Sequence, residues 1–300
     1  MSGTMRAGLA LSLAAASAGA ALGAEALRLR PAGAVYADAK GAGLRAPEGV
    51  ACGPDGLLAV ADTGNGRLVV YEVRTDAVVP RADFALPELP HPIRVRADAA
   101  GDLLVLDGKL RKIGRVSARG EFRGYVDLAV AGGSVVPRSF RLDGEGRLAV
   151  LDVAGGRVLF FEADGKPGRE IRFPEAHGFF SDLAIDGEGT VYLLDSVGRR
   201  VFAAAAGASA AAARTAGLEG DLDFATSLES DDSGRLLLVD RSGGGIVVLG
   251  ADGALLGRRS ASGWKEGLLR DPAAIALDGK GLAFVADRGN NRVQIFEIVR

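Results

Sequence analysis

Histidine, cysteine and tryptophan are nearly absent from this 300-residue chain, which has two histidines (His91 and His177), one cysteine (Cys52) and one tryptophan (Trp264). A single cysteine excludes an internal disulfide. The three nitrogen or sulfur ligands lie far apart in sequence, so none has the near neighbours that a zinc centre of three or four such groups needs. Charge of one sign is lacking as well. Lys+Arg at 36 against Asp+Glu at 38 leaves a net charge of −2, which argues against an extended nucleic-acid surface. What remains is a globular composition, 48% hydrophobic and 25% charged, with 44 glycines for many turns.

The N-terminus reads MSGTMR, then AGLALSLAAASAGAALG, then AEALRLR. A basic start, an apolar run of about fifteen residues and small residues before Glu25 predict a secretory signal over residues 1–24. Ala21-Leu22-Gly23 and Ala24-Glu25-Ala26 both have the small-x-small form of a cleavage site. A membrane anchor would need roughly 20 strongly apolar residues, so no stable span is expected after cleavage. Cys52 lies too far from this segment to be a lipidated N-terminal cysteine. The expected address is the periplasm or the exterior of a bacterial cell.

The rest of the chain is a repeat. Six times an apolar pair runs into an aspartate, at Asp62, Asp107, Asp152, Asp195, Asp240 and Asp287, with gaps of 45, 45, 43, 45 and 47 residues. Six positions before each stands Gly56, Gly101, Gly146, Gly189, Gly234 or Gly281, and nine before stands Gly53, Asp98, Asp143, Asp186, Asp231 or Asp278. Segments such as DGEGR are tight turns, in which Asp bonds its own backbone and Gly accepts a positive φ. They join a first strand such as FRLD to a second such as RLAVLD. Five positions after the aspartate stands Arg67, Lys112, Arg157, Arg200, Gly245 or Arg292, opening a third strand, and a weaker fourth strand follows. A period of this length with four strands per unit predicts an all-β, six-bladed β-propeller over residues 25–300. The segment Ala26–Tyr36 is left over and is expected to close the last blade against RVQIFEIV, removing an open edge.

VADTGNGRLVVY and VADRGNNRVQIF, preceded by PEGVACGPDG and DPAAIALDGKG, resemble NHL repeats, most clearly in the first and last units. The resemblance implies a six-bladed propeller, and a fold that serves binding platforms, sensor domains and a few enzymes. Lactonases of the gluconolactonase type hold a metal with Glu, Asn and Asp from channel strands. Here Asn65, Asn290 and Asn291 all follow a repeat aspartate in a hairpin loop. Related lyases rely on channel histidines, whereas His91 and His177 fall in connections between blades. No cofactor and no metal site is expected.

The repeat aspartates are expected to cap their hairpins and pair with the basic residue five positions later, because a feature present in every unit is a scaffold requirement. The residues that break the repeat are more informative. On the first strands, which line the channel, Val50, Val95, Phe140, Leu183, Leu228 and Ile275 should pack blade on blade. The opposite parity carries charge: Arg94, Arg96 and Arg141, with Arg138 beside them, face Asp182 and Glu229. These six describe either a polarised channel mouth or an internal salt-bridge network. Three irregular connections, Ala85–Pro92, Ala203–Gly217 and Ser262–Pro272 with Trp264, should emerge with the hairpins on one face. The sequence therefore points to an exported, non-enzymatic platform for an envelope or extracellular protein or a small charged ligand. A metal-dependent lactonase or lyase is the alternative.

Overall fold

The computed structural model of the protein describes residues 27–130, 133–162 and 165–299. The expected signal, residues 1–24, lies outside them. The turns set the strands. In DGEGR, Asp143 Oδ1 accepts the backbone N–H of Glu145 (3.0 Å) and Arg147 (2.9 Å). The corresponding glycine of the first unit, Gly56, has φ 74°, and a Cβ there would collide with the Val73 carbonyl. Only glycine therefore turns the chain this tightly at that point.

Each unit folds into a four-stranded antiparallel sheet, and six such sheets form the ring. Blade one comprises Gly49–Cys52, Leu57–Asp62, Arg67–Val73 and Val78–Phe84. Blade six comprises Ala274–Leu277, Leu282–Asp287 and Arg292–Val299, and its outermost strand is Arg28–Val35 from the other end of the chain. That strand runs antiparallel from Arg28 opposite Val299 to Val35 opposite Val293, with a register shift between Pro31 and Gly33. The ring thus closes as the leftover segment predicts. Pro31 is tolerated because this is an edge strand.

Four of the second strands are buried along their whole length, as in LLVLD (Leu103–Asp107) and LLLVD (Leu236–Asp240), and those of blades one and six in all but their first residue. Their side chains alternate between the two neighbouring blades. Leu237 and Val239 join the apolar cluster against blade six, while Leu236 and Leu238 join the cluster against blade four. One such cluster fills each of the six junctions between blades. Val50, Val95, Phe140, Leu183, Leu228 and Ile275 lie fully buried within them, as expected of their parity. The alanine-rich stretch makes the poorest outer strand, Ala212–Ala213, which pairs only with Phe202 and Ala203, and contrary to expectation its Ala206–Gly207 turn lies beside the Asp-Gly turns rather than with the hairpins.

Candidate functional site

Two faces flank the channel. The hairpins that follow the repeat aspartates, and the connections entering each first strand, share one face, here called upper. Backbone bonds join them: Gly64 N–H to Arg45 O, Gly108 to His91, Ser196 to Phe179, Arg241 to Phe224 and Gly289 to Arg270. The Asp-Gly turns form the lower face.

The repeat aspartates hold the upper face together, and all six are fully buried. Asp62 accepts the Arg45 backbone N–H (2.7 Å), the Asn65 amide (2.8 Å) and Arg67 Nε (2.8 Å). Asp107 accepts the backbone N–H of His91, Lys109 and Leu110. Each carboxylate therefore ties an entering loop to a hairpin, and Arg67, Arg157, Arg200 and Arg292 pair with their aspartates. Two blades depart from the expected pairing. Lys112 lies 4.6 Å over the Tyr125 ring instead of pairing with Asp107. Blade five has Gly245 at the basic position, and Arg258 on its outer strand reaches into the vacant space to pair with Asp240.

The six channel charges do not share one mouth. Arg138 lies highest, half-buried, its guanidinium 5.6 Å from the Phe179 ring. Arg94 and Asp182 lie inside the channel. Arg94 is 5% exposed and donates across it to the Thr226 carbonyl (3.0 Å). Burial holds its pKa below the usual arginine value, against the pull of Asp182. Asp182 accepts Ser139 Oγ–H and the Leu228 backbone N–H (3.0 Å). Arg96, Arg141 and Glu229 lie one level lower, where the channel opens into a cavity of about 360 Å³ on the lower face. Arg141 bridges blades: its guanidinium is 3.2 Å from Glu229 and 3.7 Å from Asp182, and Nε donates to the Leu183 carbonyl (2.7 Å). Burial pushes the Glu229 carboxyl up, and Arg141 opposes that shift.

Asp232 and Asp278 also line this cavity. From the sequence both stretches read only as turns, because a turn residue looks the same whether or not its side chain points into a cavity. The DDSG form of the fifth turn was the one available signal. Cys52 lines the cavity too, with its thiol pKa pushed up by burial. Among the described residues no group of three or more His, Cys, Asp or Glu side chains is arranged to hold a metal.

The upper face carries most of the exposed large apolar side chains: Leu110 and Val197 on hairpins, Phe179, Phe224 and Trp264 on entering loops. Trp264 is 71% exposed and Val197 63%. The Trp264 loop is tied down by Asn290, Arg292 and Gln294, which contact Gly263, Lys265, Gly267 and Leu268, so the ring is presented rather than folded over the blade edge. His177 is exposed and stacks on Phe180 at 4.9 Å, and His91 is half-buried; both lie in connections, as expected.

This architecture is that of a six-bladed β-propeller, and the family model for the NHL repeat matches residues 44–71 and 269–296, within its first and last units. NHL repeat-containing protein 3 of Mus musculus is 36% identical over 78 residues, 25% of this chain and 22% of that protein. The chain thus aligns with about a fifth of that relative's length. Among solved structures, a gluconolactonase from Xanthomonas campestris superposes with a TM-score of 0.68 at 17% identity, covering 90% of this chain and 91% of that one. Virginiamycin B lyase from Staphylococcus aureus superposes with a TM-score of 0.63 at 12% identity, covering 91% and 100%. At such identities the likeness is one of fold.

Proposed function

We propose that this propeller is an exported, non-enzymatic binding platform that docks an envelope or extracellular protein on its upper face. The observation that carries the reading is the gathering of exposed Leu110, Phe179, Val197, Phe224 and Trp264 on that face, on loops fixed by buried aspartates. Rigid aromatic anchors on a fixed scaffold lose little conformational freedom on binding. Arg138, beside Phe179, supplies a cation at the rim of the same surface. The other channel charges serve this reading as supports: Arg94, Asp182 and Arg141 hold the ring beneath the face, while Arg96 and Glu229 belong to the lower mouth. The N-terminal pattern supports export.

The test is a Val197→Glu/Trp264→Glu double variant. Both side chains are solvent-exposed, so its melting temperature should match the parent. Capture of the envelope partner isolated with the parent protein should be lost. Retained capture would move the interface elsewhere. Stoichiometric bound metal together with lactone hydrolysis by the parent would replace this reading with the enzymatic one.

A further inference from the structure

The lower mouth holds charges that the fold leaves uncompensated. Arg96 is 9% exposed. Its Nη1 donates to the carbonyls of Val50 (3.3 Å) and Val95 (2.8 Å), its Nε has no hydrogen-bond partner, and it forms no ion pair among the described residues. Its neighbours are already matched: Arg141 with Glu229 at 3.2 Å, and Asp231 with Arg235 at 2.7 Å. Two acidic groups on the cavity wall are not. Asp278 uses Oδ1 for the backbone N–H of Lys280 and Leu282, and among the described residues neither Asp278 nor exposed Asp232 forms an ion pair.

One unmatched cation on blade two therefore shares a cavity with unmatched anions on blades five and six. A guanidinium on the cavity wall with no ion-pair partner among the described residues suits a carboxylate, which its planar fork can bind in bidentate fashion. The two aspartates repel a dianion such as phosphate and attract ammonium groups. The complement of this charge set is one carboxylate and two cationic groups. The cavity of about 360 Å³ has the volume of about a dozen waters, enough for a molecule of amino-acid size.

We propose that the lower mouth binds a cationic α-amino acid, or a dipeptide containing one, with its carboxylate on Arg96 and its ammonium groups on Asp232 and Asp278. This site is separate from the upper face and does not depend on the platform reading. Calorimetric titration of the full protein with L-lysine and L-arginine should show saturable binding. Cadaverine, which lacks the carboxylate, L-glutamate and inorganic phosphate should each bind at least about tenfold more weakly. Asp232→Asn, at an exposed side chain the fold does not use, should keep the parent melting temperature and weaken L-lysine several-fold. Arg96→Gln should abolish binding. The Val197→Glu/Trp264→Glu variant should bind L-lysine like the parent, so the two sites fail or succeed separately. Absence of saturable binding by both amino acids at millimolar concentration would overturn the proposal. Equal binding of cadaverine, glutamate or phosphate would do the same, as would unchanged affinity in Asp232→Asn.

Discussion

At the scale of single residues, the upper face depends on buried carboxylates, and two of them have their pKa held low by the groups they bind. Asp195 shows how. Burial pushes its pKa up, but the N–H groups of Gly178, Gly198 and Phe179, with Arg200 nearby, prevail and hold it below the usual carboxylate value. Asp240 behaves alike, with Arg258, Phe224, Asp223 and Gly243 outweighing burial. A group whose folded pKa is depressed contributes its full stability above the unfolded value, about 3.9 for aspartate, and loses it as pH falls through the folded value. Unfolding monitored against pH should therefore show a plateau above about pH 5 and a progressive loss of stability below about pH 4. Asp152→Ala removes the acceptor of the Val136 N–H and of Arg157 Nε. It should lower stability by about 1–3 kcal/mol in denaturant titration. Loss of partner binding without loss of stability would instead make the repeat aspartates part of a binding site.

At the scale of elements, the strand Arg28–Val35 matters most, because it comes from one end of the chain and covers the other. Val35 is buried in the cluster between blades six and one, and Leu29 packs on the cluster between blades five and six. Deleting residues 27–36 would open a ladder of seven residue pairs and two apolar junctions. It should destabilise the whole domain by several kcal/mol rather than trim a tail. Equal melting temperatures for the intact and truncated proteins would show that this strand is dispensable. The outer strand of blade four stands at the other extreme. Alanines supply little side-chain surface to pack, so only Ala212 and Ala213 pair.

At the scale of the whole molecule, the ring is held by contacts between blades that are neighbours in space, and the channel adds ties across it. Arg141 touches blade four through Leu183 and Asp182 and blade five through Leu228 and Glu229. Arg141→Ala would leave buried Asp182, and Glu229 at the cavity wall, without their cation. Stability should fall by about 3–5 kcal/mol in chemical denaturation, as when one partner of a buried pair is removed. A loss near zero would mean that water replaces the guanidinium in the channel.

The sequence by itself determined the propeller, its six units, the turns and the closing strand. All of these follow from local rules: alternation along strands, Asp-Gly turns and a repeated period. It also determined that Arg94, Arg96, Arg141, Asp182 and Glu229 would line a channel, because parity on a first strand decides what faces inward. Tertiary structure decided the rest. Two residues of spacing on a first strand separate Arg94 from Arg96 along the axis, leaving one tied across the channel and the other facing a cavity. Arg258 replaces the missing basic residue of blade five from a strand 18 residues away from Asp240, a compensation that no column of the repeat reveals. The unmatched charges of the lower mouth are likewise a matter of distance. A charge is free or paired only once the ring has closed and its neighbours have taken their partners.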